Sequence, residues 1–282
     1  MLSISKLLDP KNDYVFKRIF GQTGSEDITK NLLSSIIPDN IKEITLDCDP
    51  ITEKDLLDDK VGILDIKEKL NNNINCDIEM QIVDKNNVER RILFYWSKSF
   101  SQSIKAGNDY NMLKRTIAIL ISDYNLENLK EIPKYMTKWN LREEKYPHII
   151  LTDALEIYII ELEKVKEFMS EGNFTLNSWL QFINNPEEKL NMENKEIKKA
   201  KEILEKISGD EHERRLAELR EKHILDQKAT EAYGYDKGFA AGIEKKQIQI
   251  IKNMKAENFD IATISKIIGL SEKEIKEILA EE

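Results

Sequence analysis

Cysteine is scarce in this sequence, and long apolar runs are missing. Cys48 and Cys76 are the two cysteines among 282 residues, and they stand too far apart to suggest a zinc site or a disulfide framework. No run of about 18 apolar residues is present, so no transmembrane helix is predicted. The first residues also lack the apolar stretch of a secretory signal. We therefore expect a cytoplasmic protein without a membrane partner.

An excess of positive charge is missing as well. The chain has 52 acidic and 43 basic residues, a formal net charge of -9, which argues against non-specific coating of nucleic acid. One segment differs, because residues 90–115 contain six basic residues against Asp109 alone, a local net charge of +5. This segregation suits a phosphate-bearing partner, whereas a solvated helix face of accidental composition is the alternative. The basic residues are Arg90, Arg91, Lys98, Lys105, Lys114 and Arg115.

The most regular polar pattern lies in residues 62–81, GILDIKEKLNNNINCDIEMQ. Polar and apolar residues alternate over 75–82, which predicts a strand with one polar face. That face carries Asn75, Asp77, Glu79 and Gln81. The preceding β-prone run contains Asp65, and the NNN turn signal predicts a hairpin across which Asp65 and Glu79 could meet. Two such carboxylates could share Mg²⁺, but a solvated face of an edge strand explains the same pattern.

The flanking sequence predicts a layered α/β protein. Asp9 and Pro10 form a helix start, and Asp13 and Lys17 at i and i+4 predict either a surface ion pair or a supporting role at a site. The run RTIAILIS is typical of a central parallel strand covered on both faces. The other predicted helices are 26–37 and a sheet-packed helix ending near Gly107, and the other strands are IKEITLD, 135–142 and 155–162.

The chain after about residue 168 is helical and highly charged. Gly234, Gly238 and Gly242 recur every four residues, which on a helix would leave a stripe open to close backbone approach. The end of the chain predicts two short helices around Gly269, the second opened by a capping box of Ser271 and Glu274. This pair resembles a helix-turn-helix, but its mixed charges favour an interaction module over a DNA reader.

These motifs together resemble the Rpn family of recombination-promoting nucleases and transposases, within the PD-(D/E)xK (restriction-endonuclease-like) superfamily. The resemblance is spread over almost the whole chain. It is carried by NDYVFKRIFG at 12–21, GILDI at 62–66, DIEMQ at 77–81, YWSK at 95–98, Tyr110 and Leu113, EIYIIEL at 156–162, the glycine-spaced segment and IATISKIIGLSEKEIKEI at 261–278.

The resemblance implies an α/β fold with a restriction-endonuclease-like αβββαβ core, a mixed sheet and a helical C-terminal extension. We expect a nuclease-like domain at 1–168, a helical extension at 169–230 and a glycine-spaced, helix-turn-helix-like tail at 231–282. The implied activity is Mg²⁺-dependent hydrolysis of DNA, with Mn²⁺ as a substitute, in recombination or transposition of mobile DNA.

The resemblance also assigns the site residues. Asp65 corresponds to the aspartate of the PD motif and Glu79 to the acid of (D/E)xK, with the Met80 carbonyl as a further metal ligand. Gln81 stands where the motif has lysine, and Lys98 in YWSK is the candidate replacement. Asp13, Lys17 and Asp77 are supporting residues, and DNA binding is expected of Arg90, Arg91, Lys105, Lys114 and Arg115.

Two alternatives stay open beside the nuclease. The missing lysine at position 81 and the acidic net charge suit a catalytically inactive nuclease fold that serves as a DNA-binding or protein-interaction module. The other alternative is an oligomeric regulatory or defence factor that assembles with copies of itself through the glycine-spaced C-terminal helices.

Overall fold

The computed structural model describes residues 6–46, 51, 56, 66–71, 73–84, 87–169, 173–188 and 194–280, with the backbone alone at Glu231. Contacts divide the chain into two compact units, Met1–Ile224 and Leu225–Glu282. The predicted Asp65 lies outside the described residues, and the three-part division at 168 and 230 stays a prediction.

Two helices open the first unit, α1 at Asp13–Phe20 and α2 at Glu26–Ile36. The start predicted at Asp9 and Pro10 is wrong, because Asn12 is the N-cap and its side chain accepts hydrogen bonds from the amides of Tyr14 and Val15. The Asn12 amide group also donates to the Ala217 carbonyl at 3.2 Å. The cap residue is therefore also bound to a distant segment, which the local signal does not indicate.

A mixed six-stranded sheet forms the centre of the first unit. Its strands are β1 (Ile44–Leu46), β2 (Ile66–Leu70), β3 (Ile74–Gln81), β4 (Arg115–Ser122), β5 (Met136–Trp139) and β6 (Leu155–Glu161). They are ordered β1-β2-β3-β4-β6-β5. β1, β2 and β3 are antiparallel neighbours, β3, β4 and β6 are parallel, and β5 is antiparallel to β6. The predicted hairpin and the central parallel strand are both confirmed.

Each face of the sheet packs on helices. One face, which includes Ile66 and Ile78, belongs to a large apolar core with α1 and α2. The other face contributes Ala118 and Leu120 to a smaller cluster with α3, Val88–Gln102. α3 ends before the predicted Gly107, since Ser103 caps it and the Ser103 Oγ also accepts from the Lys114 amide at 3.2 Å. The order of α1, β1, β2, β3, α3 and β4 confirms the expected αβββαβ core.

The helices after β6 add to the larger core. They are α4 (Val165–Phe168), α5 (Phe174–Asn184), α6 (Lys195–Gly209) and the 46-residue α7 (Glu211–Ala256). Trp179 of α5 and Leu204 of α6 are fully buried in the cluster that contains Phe20 of α1. The hydrophobic core therefore continues past residue 168.

The second unit contains the remainder of α7, α8 (Ile261–Ile268) and α9 (Glu272–Ala280), packed around Ile251, Ile264 and Ile275. The predicted capping box is confirmed, because the Ser271 amide donates to Glu274 Oε2 at 2.8 Å and the Glu274 amide donates to Ser271 Oγ at 3.3 Å. The three spaced glycines lie in α7, and apart from their chain neighbours and the nearby backbone of α7 itself, no described atom lies within 4 Å of where their Cβ atoms would stand. In the described part of the chain, no helix is long and apolar enough to cross a membrane.

Candidate active site

The polar face of β3 is the centre of the candidate site. Strand alternation turns Asp77, Glu79 and Gln81 toward the face covered by α3, since their β4 partners Ala118 and Leu120 lie in the cluster with that helix. Glu79 and Gln81 are only 8% and 9% exposed. The predicted polar side of the strand is therefore a covered surface between the sheet and α3, and not a solvated edge.

The Glu79 carboxylate is held by two neighbours. Gln81 Nε2 donates to Glu79 Oε1 at 2.6 Å, and Arg91 Nη2 forms an ion pair with the same oxygen. Arg91 lies in the first turn of α3, and its guanidinium also lies 5.6 Å from the centre of the Tyr95 ring. The Tyr124 hydroxyl donates to Gln81 Oε1 at 3.3 Å. These contacts fix the orientation of both β3 side chains.

Burial raises the pKa of both acids on this face. For Asp77, desolvation is the largest cause, Lys67 and Lys17 lower the pKa, and Glu79 raises it. For Glu79, desolvation again dominates, while Arg91 and the hydrogen bond from Gln81 lower the pKa. The two carboxylates thus lie close together in a poorly hydrated place, where a second positive charge would favour their ionised forms.

The donor set on this face suits a hard divalent cation. Asp77 Oδ1 is buried and has no hydrogen-bond partner among the described residues, and carboxylate oxygens are the ligands that Mg²⁺ prefers. Within the described ranges no group of three acidic, His or Cys side chains is placed to hold a metal. The Met80 side chain is buried in the larger core, so only the backbone of this residue could contribute a ligand.

Helix α1 adds two charged residues near β3. Asp13 is bound by Arg220 of α7, with Nε to Oδ1 at 2.9 Å and Nη2 to Oδ2 at 2.7 Å. Its charge still raises the pKa of Glu79. Lys17 is 4% exposed and lowers the pKa of Asp77. Arg220 is therefore the ion-pair partner of Asp13, and the two predicted supporting residues influence the acids of β3 through their charges.

The predicted basic residues are distributed unequally around this site. Arg91 contacts Glu79, whereas Arg90 and Lys105 are exposed. Lys98 is also exposed. It follows Arg91 by seven residues, which corresponds to about 10 Å along the helix axis. Arg91, and not the predicted Lys98, is therefore the cation that α3 brings to Glu79.

Arg115 is engaged elsewhere in the fold. Its guanidinium binds Asp39 with Nη1 to Oδ1 at 2.7 Å and Glu156 with Nη2 to Oε1 at 2.9 Å. Two carboxylates thus balance the charge that was expected to bind DNA. Lys114, directly before it, is partly exposed and lines a cleft beside α3.

The contact of Arg91 with Glu79 was not predicted, since Arg91 was expected to bind DNA. A usable signal was present, because the buried residues Val88 and Ile92 define the sheet-facing side of α3. Residues three or four apart share a helix face, so Arg91 and Tyr95 both border the side of α3 that faces the sheet. Tyr124 lies just after β4, and no local pattern marked its contact with Gln81.

Comparison with known proteins supports a nuclease fold. A family model described as PD-(D/E)XK nuclease family transposase matches residues 10–234, which include every described strand of the sheet. No curated protein and no solved structure matches the chain. The match spans well over half of the sequence, from α1 into α7. The chain therefore belongs to the PD-(D/E)XK nuclease family transposases.

Proposed function

We propose that this protein is a metal-dependent DNA endonuclease that hydrolyses phosphodiester bonds during recombination or transposition of mobile DNA. The observation that carries the proposal is the covered acidic face of β3, where Gln81 and Arg91 orient Glu79 and the nearby Asp77 Oδ1 has no hydrogen-bond partner among the described residues. Acids with raised pKa values in such places are candidates for functional sites. Membership of a nuclease family makes phosphodiester hydrolysis the reaction to test first.

Asp65, Glu79 and the Met80 carbonyl are our proposed ligands for Mg²⁺, for which Mn²⁺ is expected to substitute. The pairing of the hairpin supports this choice, because Asp65 directly precedes Ile66 in the sequence, and Ile66 pairs with Ile78, the residue before Glu79. A bound divalent cation supplies polarisation of a phosphate oxygen and a lower pKa for a bound water. Asp77 Oδ1, which is buried, would accept a hydrogen bond from a water held by that cation.

In this proposal, Arg91 and Gln81 together take over the roles of the lysine in the (D/E)xK motif. The Arg91 guanidinium is permanently charged, so it can stabilise negative charge on a phosphate and hold Glu79, but it cannot take a proton. The Gln81 amide is neutral and orients the Glu79 carboxylate through its 2.6 Å hydrogen bond. Neither residue is a general base, so the proton released by an attacking water has to pass to a carboxylate or to solvent.

Metal dependence is the direct test of the proposed activity. We expect the purified protein to nick supercoiled plasmid in Mg²⁺ or Mn²⁺, to stop when EDTA is added, and to resume when Mg²⁺ is restored. The measurement is the initial rate of conversion of supercoiled to open-circular plasmid on agarose gels. A rate that is unchanged by EDTA would contradict the assignment of a dissociable cation at Glu79.

A comparison of Arg91 with Lys98 tests which cation acts at the site. Arg91→Ala is expected to lower kcat for nicking about a hundredfold, a change of about 3 kcal/mol in the activation free energy. Lys98→Ala is expected to change kcat less than about twofold, since Lys98 is exposed on α3. Arg91→Lys should recover part of the loss, because it keeps the charge but not the forked donor geometry. Loss of activity in Lys98→Ala with normal Arg91→Ala kinetics would reverse the assignment.

A non-catalytic DNA-binding or protein-interaction module is the second candidate. Gln81 in place of lysine and the ion pair that already engages Glu79 favour it. Titration calorimetry with Mg²⁺ distinguishes the two functions, since the nuclease requires heat of binding that the Glu79→Ala variant lacks. A module would give no such heat and would bind DNA equally well with Mg²⁺ or EDTA.

We also propose that the protein is cytoplasmic and that it associates with copies of itself. A cytoplasmic location agrees with the small number and wide spacing of the cysteines in the sequence, because disulfides are rare in reducing compartments. Self-association is proposed through the C-terminal helices, where Tyr235 and Phe239 are 73% and 61% exposed on α7.

A further inference from the structure

A cleft of about 550 Å³ lies beside the C-terminal half of α3. Six of the polar residues that line it are called the basic cleft: Thr45, Lys67, Lys69, Asn75, Ser103 and Lys114. β2 contributes two lysines, β1 and β3 contribute neutral polar side chains, and the segments after α3 contribute the serine and the third lysine. None of the basic cleft residues except Lys114 was among the predicted DNA-binding residues.

The basic cleft continues the candidate active site along the sheet. Lys67 pairs with Asp77, Lys69 pairs with Asn75, and Thr45 pairs with Lys69. Paired residues on neighbouring strands point to the same face, so these side chains share the face that carries Glu79. Residues two apart on a strand are separated by about 7 Å. The two lysines thus follow one another in a row that leads away from Asp77 and Glu79.

The charge of the basic cleft is positive. Lys67 and Lys69 are exposed. Glu68 lies between them and also lines the cleft, but strand alternation directs its side chain to the opposite face, and the residue is 3% exposed. Burial raises the pKa of the Glu68 carboxyl well above its ordinary value, which favours its neutral form.

We propose that the basic cleft binds the sugar-phosphate backbone of the DNA strand at phosphates beside the one that is cleaved, with Lys67 and Lys69 as the main contacts. This inference rests on the proposed function, because it uses the acids of β3 as the position of the cleaved phosphate. Successive phosphates of one B-DNA strand rise by about 3.4 Å along the helix axis and also turn about that axis, so their direct separation is larger than the rise, and lysines about 7 Å apart can reach neighbouring phosphates of one strand. Hydroxyl and amide side chains in the cleft can donate hydrogen bonds to the same oxygens.

This arrangement predicts contacts that are independent of base sequence. A lysine that neutralises a phosphate contributes about 0.9 to the slope of the logarithm of the binding constant against the logarithm of salt concentration. We therefore expect the Lys67→Gln/Lys69→Gln double variant to lower the magnitude of this slope by about two, equally for unrelated duplexes. The Lys67→Arg/Lys69→Arg variant keeps both charges and should keep the slope of the unmodified protein.

The experiment measures fluorescence anisotropy of a labelled duplex over a range of salt concentrations, in EDTA so that no cleavage occurs. Lys195→Gln/Lys198→Gln is the matched control, since both lysines are exposed on α6 and the net charge changes equally. Circular dichroism of all variants checks that the fold is kept. A slope lowered by about two in the Lys67/Lys69 variant alone supports the basic cleft.

Plasmid nicking in Mg²⁺, measured in parallel, separates the two conclusions. Equal salt slopes for the unmodified protein and the Lys67→Gln/Lys69→Gln variant would overturn the basic cleft and leave the nuclease intact if nicking persists. A lowered slope without any nicking by the unmodified protein would support the basic cleft and remove the nuclease. Absence of both DNA binding and nicking in the unmodified protein would overturn both.

Discussion

Glu79→Gln is expected to lower the rate of plasmid nicking about a thousandfold, and Asp65→Asn is expected to do the same. The loss corresponds to about 4 kcal/mol of transition-state stabilisation, because each change keeps the size of the side chain but removes a charged oxygen ligand for the proposed cation. Glu79→Gln also removes the negative charge that pairs with Arg91. Initial nicking rates in saturating Mg²⁺ give the measurement.

Glu163→Gln is the matched control for these two variants. Glu163 is exposed in the helical turn after β6, so the same chemical change there should leave nicking within about twofold of the unmodified rate. Circular dichroism at increasing temperature should show that all three proteins fold. Unmodified nicking rates in both Glu79→Gln and Asp65→Asn would place the reaction at other residues.

The largest expected effect on stability comes from Lys164→Met. Lys164 Nζ donates to Glu161 Oε2 at 2.8 Å and to the Leu129 carbonyl at 2.6 Å, and the two side chains are 7% and 1% exposed. Removing the cation leaves a buried carboxylate without its counter-charge, which costs about 3–5 kcal/mol of unfolding free energy. For a unit of this size the unfolding midpoint should fall by about 10 °C, measured by circular dichroism.

Two further variants show that the lost partner is the cause. Lys166→Met, two residues along the chain, changes an exposed lysine and should leave the midpoint unchanged. Glu161→Gln added to Lys164→Met removes the uncompensated charge but keeps an acceptor for the Leu126 amide, which now lies 2.9 Å from Glu161 Oε1. This double variant should regain most of the lost stability. A single variant as stable as the unmodified protein would contradict a net contribution from the pair.

The sheet could be predicted where local pattern and burial agree. β3 was predicted by the alternation of polar and apolar residues, and β4 by an apolar run too short for a helix. The starts and ends of helices were less accessible, because distant residues decide them. Asp9 and Pro10 have the stronger local signal for a helix start, but Asn12 caps α1 while its side chain also reaches Ala217.

The site was predictable to the extent that it follows strand alternation. Glu79 and Gln81 had to share a face, and the structure joins them by a hydrogen bond. The identity of the cation was not accessible in this way, because it depends on how α3 rotates against the sheet. One residue changes the direction of a helical side chain by about 100°, which separates Arg91 at Glu79 from the exposed Arg90. Likewise, nothing near Asp13 indicates Arg220 as its partner.

The ion pair between Asp13 and Arg220 has a consequence for the order in which the protein is completed during synthesis. The two residues are 207 positions apart, and chains grow at about 5–20 residues per second. After Asp13 has been synthesised, about 10–40 s pass before Arg220 is added to the chain. Helix α1, which carries Asp13 and Lys17, therefore gains this anchor only after every described strand of the sheet has been made. A shortened protein that is meant to keep α1 in place has to extend through Arg220.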